Sequence, residues 1–485
     1  MNLTCMLSEH VRACFTGLWI ESSEPDEALR EIALLCREQS WPLLTWDAAR
    51  GLQGITQNAE NSHGTTDPME ALRSVQGVAD GQRPSLLLLS NLHHLLGSIE
   101  LIEELRYAIE EGKHRRTFVI ILAPIVRIPP ELEKLFVVIE HALPCREQLE
   151  EIARQTATEA DELPEGSELT RLLDASAGLT RYEAEGAYAL SLVRYGRLQS
   201  DVLWELKAQS LKSGGALRLY RGSETFETLG GLGALKTFCR RSLLLNGRHD
   251  SASSGSGNPD ARPRGVMLLG VPGTGKSAFC KALGAETGRP TLVLDIGALM
   301  GSLVGQTEAN LRRALKQIDA MSPCVVMIDE VEKALSGSGG QQDSGVSSRL
   351  FGTLLTWLND RTSDSYVVCT CNDISRLPPE FARAERFDGV WFIDLPSNEQ
   401  RQSIWNIYRA QYDIQSASMP DDGGWTGAEI KACCRLARLL DMPLAEAARH
   451  VVPIADTAAE SVDKLRTWAA ARCLSAETGS VYRPV

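Results

Sequence analysis

The glycine-rich segment Gly270–Ser277 (GVPGTGKS) limits the possible folds of this chain more than any other feature. It matches the P-loop pattern, and it stands between an apolar run, Gly265–Leu269, and a helical segment, Lys276–Thr287. That strand–loop–helix context is the one the pattern requires. The glycines let backbone N–H groups turn inward around phosphates, and the N-terminus of the helix adds a favourable dipole. The segment therefore predicts a phosphate-binding site in an α/β domain.

The same loop supplies two side chains that suit a bound nucleotide. Lys276 can reach the β- and γ-phosphates, and the hydroxyl of Ser277 can coordinate Mg²⁺. ATP and Mg²⁺ are therefore the predicted ligands. The residues predicted to surround them are Gly270, Pro272, Gly273, Thr274, Gly275, Lys276, Ser277 and Ala278.

A second segment ends an apolar strand in paired carboxylates. Cys324–Ile328 is a continuous apolar run, and Asp329 and Glu330 follow it directly. We expect Asp329 to be a metal ligand together with Ser277, and Glu330 to orient or activate the attacking water. Glu332 is expected to be an exposed helix carboxylate.

Two further groups stand next to apolar runs. Asn372 follows the run Tyr366–Thr370 and could hydrogen-bond the attacking water, although an ordinary turn-forming asparagine would fit the same position. Arg383 and Arg386 precede the run Val390–Ile393. Their planar guanidinium groups suit a developing phosphoryl charge, and the alternative is a solvated end of a surface helix.

Apolar runs alternate with helical segments in both halves of the chain. Runs without polar alternation suit parallel strands that are covered by helices on both faces. The second half contains five candidate strands: Gly265–Leu269, Thr291–Leu294, Cys324–Ile328, Tyr366–Thr370 and Val390–Ile393. The first half contains four: Gly17–Glu21, Pro42–Trp46, Ser85–Leu89 and Thr117–Leu122. Helices alone are expected from about Cys145 to Ser213 and again from Pro396 to the end, which gives two copies of an α/β core followed by helices.

Length and charge narrow the class of protein. The 485 residues are too many for one ordinary core, and 43% hydrophobic with 23% charged residues is the balance of a globular protein. A formal net charge of −13 disfavours nucleic acid as a partner. No apolar stretch has the length of a membrane span, and the start of the chain lacks the pattern of a signal peptide. A cytoplasmic location is therefore expected.

Together these segments resemble the AAA ATPase family, over Phe226 to about Leu439. The motifs that carry the resemblance are GGLGALK at Gly230–Lys236, the P-loop, the IDE strand end, Asn372, RxxRFD at Arg383–Asp388 and TGAEI at Thr426–Ile430. The resemblance implies that Gly427 and Ala428 lie close to the base and ribose. It also implies that Arg383 and Arg386 act on the nucleotide of a neighbouring subunit, in a homo-oligomer that is usually a hexamer.

A narrower resemblance is to the ycf-type AAA proteins of cyanobacteria, algal chloroplasts and other bacteria. It is carried by Asp295–Arg312, Pro323–Leu335, Asp343–Leu358 and Leu377–Asp388. That family has a degenerate ATPase core in its amino-terminal half, and members are linked to inorganic-carbon utilisation. In this chain Ser90 and Asn91 follow Ser85–Leu89, where an active domain would place two carboxylates, and no glycine-rich loop precedes them.

The expected fold is α/β: a P-loop NTPase of the AAA+ type, with a parallel-sheet core and a carboxyl-terminal helical lid, preceded by a degenerate AAA-like α/β domain. The predicted boundaries are 1–145 for the degenerate core, 146–215 for its helical lid or linker, 216–395 for the active core and 396–485 for the carboxyl-terminal lid.

Two functional hypotheses remain open. The first is an ATP-driven remodeller of an unidentified protein partner, and the second is a nucleotide-controlled regulatory scaffold with slow turnover. Leu303 stands where AAA unfoldases place an aromatic pore-loop residue, which disfavours processive threading and favours the scaffold. A membrane-type AAA protease is excluded because none of the eight histidines forms HExxH, and the acidic balance disfavours a DNA motor.

Overall fold

The computed structural model describes ten stretches of the chain, 2–55, 64–78, 83–159, 161–222, 224–246, 262–299, 306–334, 344–373, 386–415 and 418–484. The chain divides into two compact units. The first comprises Met1–Thr158 with Leu179–Ala189, and the second comprises Glu159–Gly178 with Leu190–Val485.

The first unit contains a six-stranded sheet with the order β3-β2-β4-β5-β1-β6. Only the β2–β3 pair is antiparallel among the described strands of this sheet. The strands are β1 (Gly17–Glu21), β2 (Leu43–Asp47), β3 (Gly51–Gly54), β4 (Ser85–Ser90), β5 (Thr117–Ala123) and β6 (Phe136–Glu140).

Four helices cover the two faces of that sheet, α1 (Leu3–Arg12), α2 (Pro25–Glu38), α3 (Pro68–Val78) and α4 (Ile99–Arg115). The unit also contains α5 (Arg146–Thr156) and the part of α7 (Arg181–Tyr195) that ends at Ala189. Consecutive residues of a strand point to opposite faces, so Trp19 packs in one core with Trp46, while Leu18 and Ile20 pack in the other. Burial on both faces explains why β1 reads as an unbroken apolar run.

The second unit contains a seven-stranded sheet with the order β13-β12-β8-β11-β10-β9-β7. The β7–β9 pair is antiparallel and the other described pairs are parallel. The strands are β7 (Leu217–Tyr220), β8 (Gly265–Gly270), β9 (Thr291–Leu294), β10 (Cys324–Ile328), β11 (Ser365–Cys371), β12 (Gly389–Ile393) and β13 (Leu474–Ser475).

The helices of the second unit flank this sheet or form a separate cluster. They are α6 (Gly166–Ser176), the end of α7, α8 (Ser200–Gly214), α9 (Gly233–Asn246), α10 (Lys276–Thr287), α11 (Ile296–Leu299), α12 (Gln306–Ala320), α13 (Ser344–Asp360), α14 (Asn398–Gln411), α15 (Gly427–Leu440), α16 (Leu444–Ala447), α17 (Ile454–Thr457) and α18 (Ala459–Ala469). Trp405, Trp425 and Ile430 form the core of the separate cluster, which is the helical lid. No helix within the described stretches is both long and apolar enough to cross a bilayer.

All nine predicted strands are present, with ends that shift by one residue at most. Four short strands were not predicted, namely β3, β6, β7 and β13. The expectation of helices alone after Pro396 is wrong, because β13 pairs with β12 at the edge of the sheet. The tail was also expected to pack in the lid, but Leu465 and Ala469 pack in a core of the sheet. A two-residue strand carries no periodicity, so the sequence cannot indicate it.

Candidate functional site

The loop after the central strand β8 takes a backbone course that favours glycine. Gly273 and Gly275 have φ of 81° and 95°, in the left-handed region. A Cβ at Gly270 would lie 2.1 Å from the carbonyl oxygen of Ile393 in β12. The glycine spacing that the sequence shows is therefore required by the turn and by the close packing of β8 against β12.

Lys276 is the first residue of α10 and is only 5% exposed. Its Nζ donates to the carbonyl oxygens of Gly270 at 2.9 Å and of Val271 at 2.8 Å. Burial lowers the pKa of Lys276 to about 8, because a charged ammonium is costly to desolvate. The side chain therefore lies along the inner side of the loop. There its ammonium can exchange the two carbonyl acceptors for phosphate oxygens.

Two oxygen ligands for a hard cation lie beside this lysine. The Oγ of Ser277 donates to both carboxylate oxygens of Asp329, at 2.9 and 3.0 Å. The Oγ1 of Thr370 in β11 also donates to Asp329 Oδ1, at 2.5 Å, and helps to fix that carboxylate. Hydroxyl and carboxylate oxygens are what Mg²⁺ prefers, so Ser277 and Asp329 fit the predicted metal.

Glu330 adopts a strained conformation directly after Asp329. Its φ is +50°, which is uncommon for a residue with a side chain. Its N–H donates to Thr370 Oγ1 at 2.9 Å, and its Oε1 accepts from Asn372 Nδ2 at 3.1 Å. The carboxylate also forms an ion pair with Lys333. Strain of this kind persists where the surroundings hold it, and here it directs the carboxylate towards the end of β11.

Glu332 is buried, with 4% exposure, and the expectation of an exposed helix carboxylate is wrong. The chain turns through a short 3₁₀ helix, Val331–Ala334, which brings Glu332 back under the end of β11. There its Oε1 accepts from the backbone N–H of Asn372 at 2.9 Å. Asn372 is thereby held from both sides, while its Oδ1 is buried and has no hydrogen-bond partner in the described structure.

The lid closes over the loop through the N-terminus of α15. The N–H of Ala428 donates to the carbonyl oxygen of Gly273 at 3.1 Å. Thr426 caps the helix and forms a capping box with Glu429, whose second oxygen accepts from the N–H of Ile454 at 2.6 Å. Gly427 and Ala428 thus lie beside the loop, while Glu429 joins two segments of the lid.

These residues line one cavity of about 370 Å³, a volume within the range of small-molecule sites. Every predicted residue of the glycine-rich loop except Gly270 lines it, and so do Asp329, Glu330, Asn372, Gly427 and Ala428. Gly270 instead accepts a hydrogen bond from Lys276 through its carbonyl oxygen. The lining combines charged groups such as Lys276 and Asp329 with aliphatic side chains such as Leu229 and Ile404, a mixture that suits a nucleotide.

Several lining residues were not predicted: Thr228, Leu229, Gly230, Thr370, Ile404, Ile407, Tyr408 and Lys431. The sequence could have indicated Lys431, because it stands three residues after Ala428 and therefore lies on the same helix face. Its Nζ lies 5.7 Å from the centre of the Tyr408 ring. The aliphatic residues come from segments that meet only when the lid packs on the core, and local sequence gives no sign of that.

Arg386 is not among the residues that line the cavity. Its Nε donates to Asn359 Oδ1 at 3.2 Å. Of its neighbours, Phe387 is buried in the core, and Asp388 accepts from the backbone N–H of Gly265 at 2.9 Å. Arg383 and Leu303 lie outside the described residues.

Three family models match the chain. The model described as "SpoVK-like AAA ATPase, N-terminal domain" matches residues 3–141, and the one for the second domain of those proteins matches residues 146–214. The model "ATPase family associated with various cellular activities (AAA)" matches residues 266–395. The predicted fold class, an α/β P-loop NTPase of the AAA type after a related α/β domain, is thereby confirmed.

Several relatives align with most of the chain. The AAA domain-containing protein ycf46 of Pyropia yezoensis is 30% identical, over 97% of this chain and 98% of its own length. The ycf46 protein of Guillardia theta is 29% identical, over 88% and 87% of the two chains. The cell division cycle protein 48 homologue of Archaeoglobus fulgidus is 29% identical over 37% of this chain and 25% of its own.

Proposed function

This chain belongs to the ycf46 family of AAA domain-containing proteins, and on that premise we propose that its second unit hydrolyses Mg-ATP and uses the cycle to remodel or regulate a protein partner within a ring oligomer. AAA ATPase membership and nucleotide binding follow from the family. Hydrolysis, the ring and the partner are the proposal. The observation that supports it is the convergence of Lys276, Asp329, Glu330 and Asn372 on one cavity.

ATP binding is proposed to replace the hydrogen-bond acceptors of Lys276. Its ammonium donates to the loop carbonyls of Gly270 and Val271, and phosphate oxygens are stronger acceptors for it. The backbone N–H groups of the loop and of the first turn of α10 add further donors. Mg²⁺ bound by Ser277 and Asp329 would neutralise charge on the β- and γ-phosphate oxygens.

The chemical step is assigned to Glu330. Its carboxylate would accept a proton from the attacking water as a bond forms between the water oxygen and the γ-phosphorus. The bond from that phosphorus to the bridging oxygen breaks, and the electron pair leaves with ADP. Asn372 positions Glu330 by donating to Oε1, and its unpaired Oδ1 is a candidate acceptor for the same water.

A neighbouring subunit is proposed to complete the site. In the part of the chain that the structure describes, the cavity has two cationic side chains, Lys276 and Lys431. Arg386 lies elsewhere on the same unit, hydrogen-bonded to Asn359. An arginine supplied from outside suits the developing charge of phosphoryl transfer. A cytoplasmic homo-oligomer, usually a hexamer among AAA ATPases, would bring Arg386 and Arg383 to the site of the next subunit.

Phosphate release by the full-length protein tests the proposal. Glu330→Gln should slow release by at least about a hundredfold, the usual contribution of a general base, with little change in ATP affinity. Glu308→Gln is the matched control, because Glu308 carries the same charge on α12 and pairs with Arg312 at the surface. Undiminished release by Glu330→Gln would remove Glu330 from this role.

Capture experiments with Glu330→Gln address the partner. Locked with ATP, this variant should retain whatever protein the cycle normally releases. Proteins captured with ATP and absent with ADP support remodelling or regulation. Identical captures in the two nucleotide states would contradict that part of the proposal.

A regulatory scaffold with slow turnover is the second candidate function. The observation in its favour is that Glu330 forms an ion pair with Lys333, which competes for the carboxylate that must receive the proton. The phosphate-release assay separates the two functions. A wild-type rate within about tenfold of the Glu330→Gln rate means that Glu330 contributes less than a working base, which favours the scaffold.

A further inference from the structure

The first unit repeats the strand order of the second. Read from one edge, five strands of each sheet follow the orders β6-β1-β5-β4-β2 and β12-β8-β11-β10-β9, with the same order along the chain. An antiparallel strand comes next in both sheets, although β3 follows β2 in the chain whereas β7 precedes β8. Strand β1 therefore corresponds to β8, and the segment that follows β1, Ser22–Glu24, stands where the second unit has its phosphate-binding loop.

The helices repeat as well. LPCREQ at Leu143–Gln148 parallels LPSNEQ at Leu395–Gln400, and both form a capping box at the start of a helix, α5 and α14. Helix α7 likewise parallels α15. Its Thr180 and Glu183 exchange hydrogen bonds of 2.9 and 3.1 Å, as Thr426 and Glu429 do in α15. The first turn of α7 therefore corresponds to the turn that covers the nucleotide cavity in the second unit.

A carboxylate joins these two elements in the first unit. Glu24 is 9% exposed, and its Oε1 accepts from the backbone N–H of Arg181, the first residue of α7. The N–H of Glu24 donates to Ser22 Oγ at 3.0 Å, which fixes the loop that carries it. A helix N-terminus favours an anion, and here the anion is part of the chain.

Little space remains around this contact. The adjoining cavity, lined by Glu24, Glu27, His141 and Arg181 among others, has a volume of about 20 Å³. That is room for about one water molecule. The corresponding cavity of the second unit measures about 370 Å³. Glu24 and its partners occupy the place of the ligand.

Side chains from three elements close the site. Arg181 donates to Glu27 of α2 at 3.3 Å, to Glu185 of α7 at 2.8 Å and to Gln155 of α5 at 3.3 Å. His141 shares a hydrogen bond of 2.7 Å between its Nδ1 and Ser22 Oγ. Each element that borders the site is thus tied to another without any added molecule.

We propose that Glu24 is a built-in anion that stands in for a nucleotide in the first unit and holds α7 on the end of β1 permanently. In the second unit the same junction, α15 over the loop after β8, has a cavity for a ligand that can come and go. The first unit would then keep one conformation throughout the ATPase cycle. This goes beyond the proposed function, since it concerns the half of the chain without a P-loop.

The contact requires an acceptor oxygen on residue 24. Burial raises the pKa of Glu24, and the N–H groups of Arg181 and Tyr182 and the nearby His141 oppose that shift, while Glu27 adds to it. A carboxyl group keeps an acceptor oxygen in either protonation state, so acid pH should leave the contact in place. Glu24→Gln, which keeps an acceptor oxygen, should therefore preserve it, whereas Glu24→Ala should not.

Hydrogen exchange of the full-length protein tests the proposal at two amides. In Glu24→Ala the N–H of Arg181 should exchange at least about tenfold faster, the effect of leaving that donor without its acceptor. Glu24→Gln should stay close to wild type, and so should the control Glu38→Ala, a change to an exposed carboxylate at the end of α2. In wild type, ATP should slow hydrogen exchange at the Ala428 amide and leave exchange at the Arg181 amide unchanged.

Two results would overturn the proposal. One is unchanged exchange at Arg181 in a folded Glu24→Ala variant, with β1 still protected. The other is protection of Arg181 by ATP in wild type, which alone decides the matter if Glu24→Ala does not fold. Failure of the proposed ATPase would appear separately, as an Ala428 amide that does not respond to ATP.

Discussion

The ammonium of Lys276 is buried before any phosphate reaches it. It is held by two loop carbonyls, and burial lowers its pKa to about 8. Neighbouring carboxylates oppose this shift without cancelling it. The free site is therefore close to losing the charge that the triphosphate needs, and binding restores that charge because phosphate favours the protonated amine.

Nucleotide affinity should consequently fall as pH rises through 8. Between pH 7 and 9 the protonated fraction of a group with a pKa of about 8 falls about tenfold, so the Kd for ATP should rise about tenfold. Isothermal titration calorimetry at pH 7, 8 and 9, in buffers of different ionisation enthalpy, measures both the Kd and the proton uptake. A Kd that does not change, with no proton taken up, would contradict the lowered pKa.

Among the elements of the site, the N-terminus of α15 contacts both another segment of the lid and the phosphate-binding loop. Glu429 accepts from the N–H groups of Thr426 and Ile454, both at 2.6 Å, and so joins the start of the helix to a distant turn of the lid. The same turn presents Ala428 to the loop at Gly273. The position of the lid over the cavity thus depends on one carboxylate that does not line it.

Glu429→Ala should lower the free energy of unfolding by about 0.5–2 kcal/mol, the usual cost of losing a helix cap. It should also weaken ATP binding, because Ala428 is no longer fixed over the loop. Thermal unfolding and equilibrium ATP binding measure the two effects. Glu446→Ala, at an exposed position of α16 in the same lid, is the control. Equal affinity in both variants would show that the cap does not position the lid.

The elements also show what the sequence could and could not predict. Strands such as β8 and β10 were predicted because burial on both faces leaves an unbroken apolar run. The burial of Glu332 was not, because it depends on the left-handed turn at Glu330, which is not a glycine. The aliphatic residues of the cavity were missed for a different reason. Ile404 and Leu229 belong to separate segments, and only the docked lid brings them together.

For the whole molecule, the proposal requires that catalysis is shared between subunits. Arg386 and Glu330 belong to the same chain, but Arg386 does not line the cavity that contains Glu330. In a closed ring with head-to-tail interfaces, each subunit would offer its arginine to the next. A subunit that lacks one of the two groups can then still supply the other.

Mixing two inactive variants tests this arrangement. Arg386→Ala and Glu330→Gln should each lose most phosphate release while retaining ATP. In rings assembled from equal amounts, about a quarter of the interfaces join an intact arginine to an intact glutamate, so part of the activity should return. A second mixture combines Arg386→Ala with Lys276→Ala and tests the same exchange of groups between subunits. If neither mixture is more active than its components, the two groups do not act across an interface.

The stoichiometry of ATP binding tests the central claim most directly, namely that one unit of this chain holds a nucleotide through Lys276 and the other holds none. Equilibrium binding of Mg-ATP to full-length Glu330→Gln avoids turnover during the measurement. We expect one ATP per chain, and none when Lys276→Ala is added to the same variant. Two nucleotides per chain, no binding at all, or binding that persists without Lys276 would contradict the account.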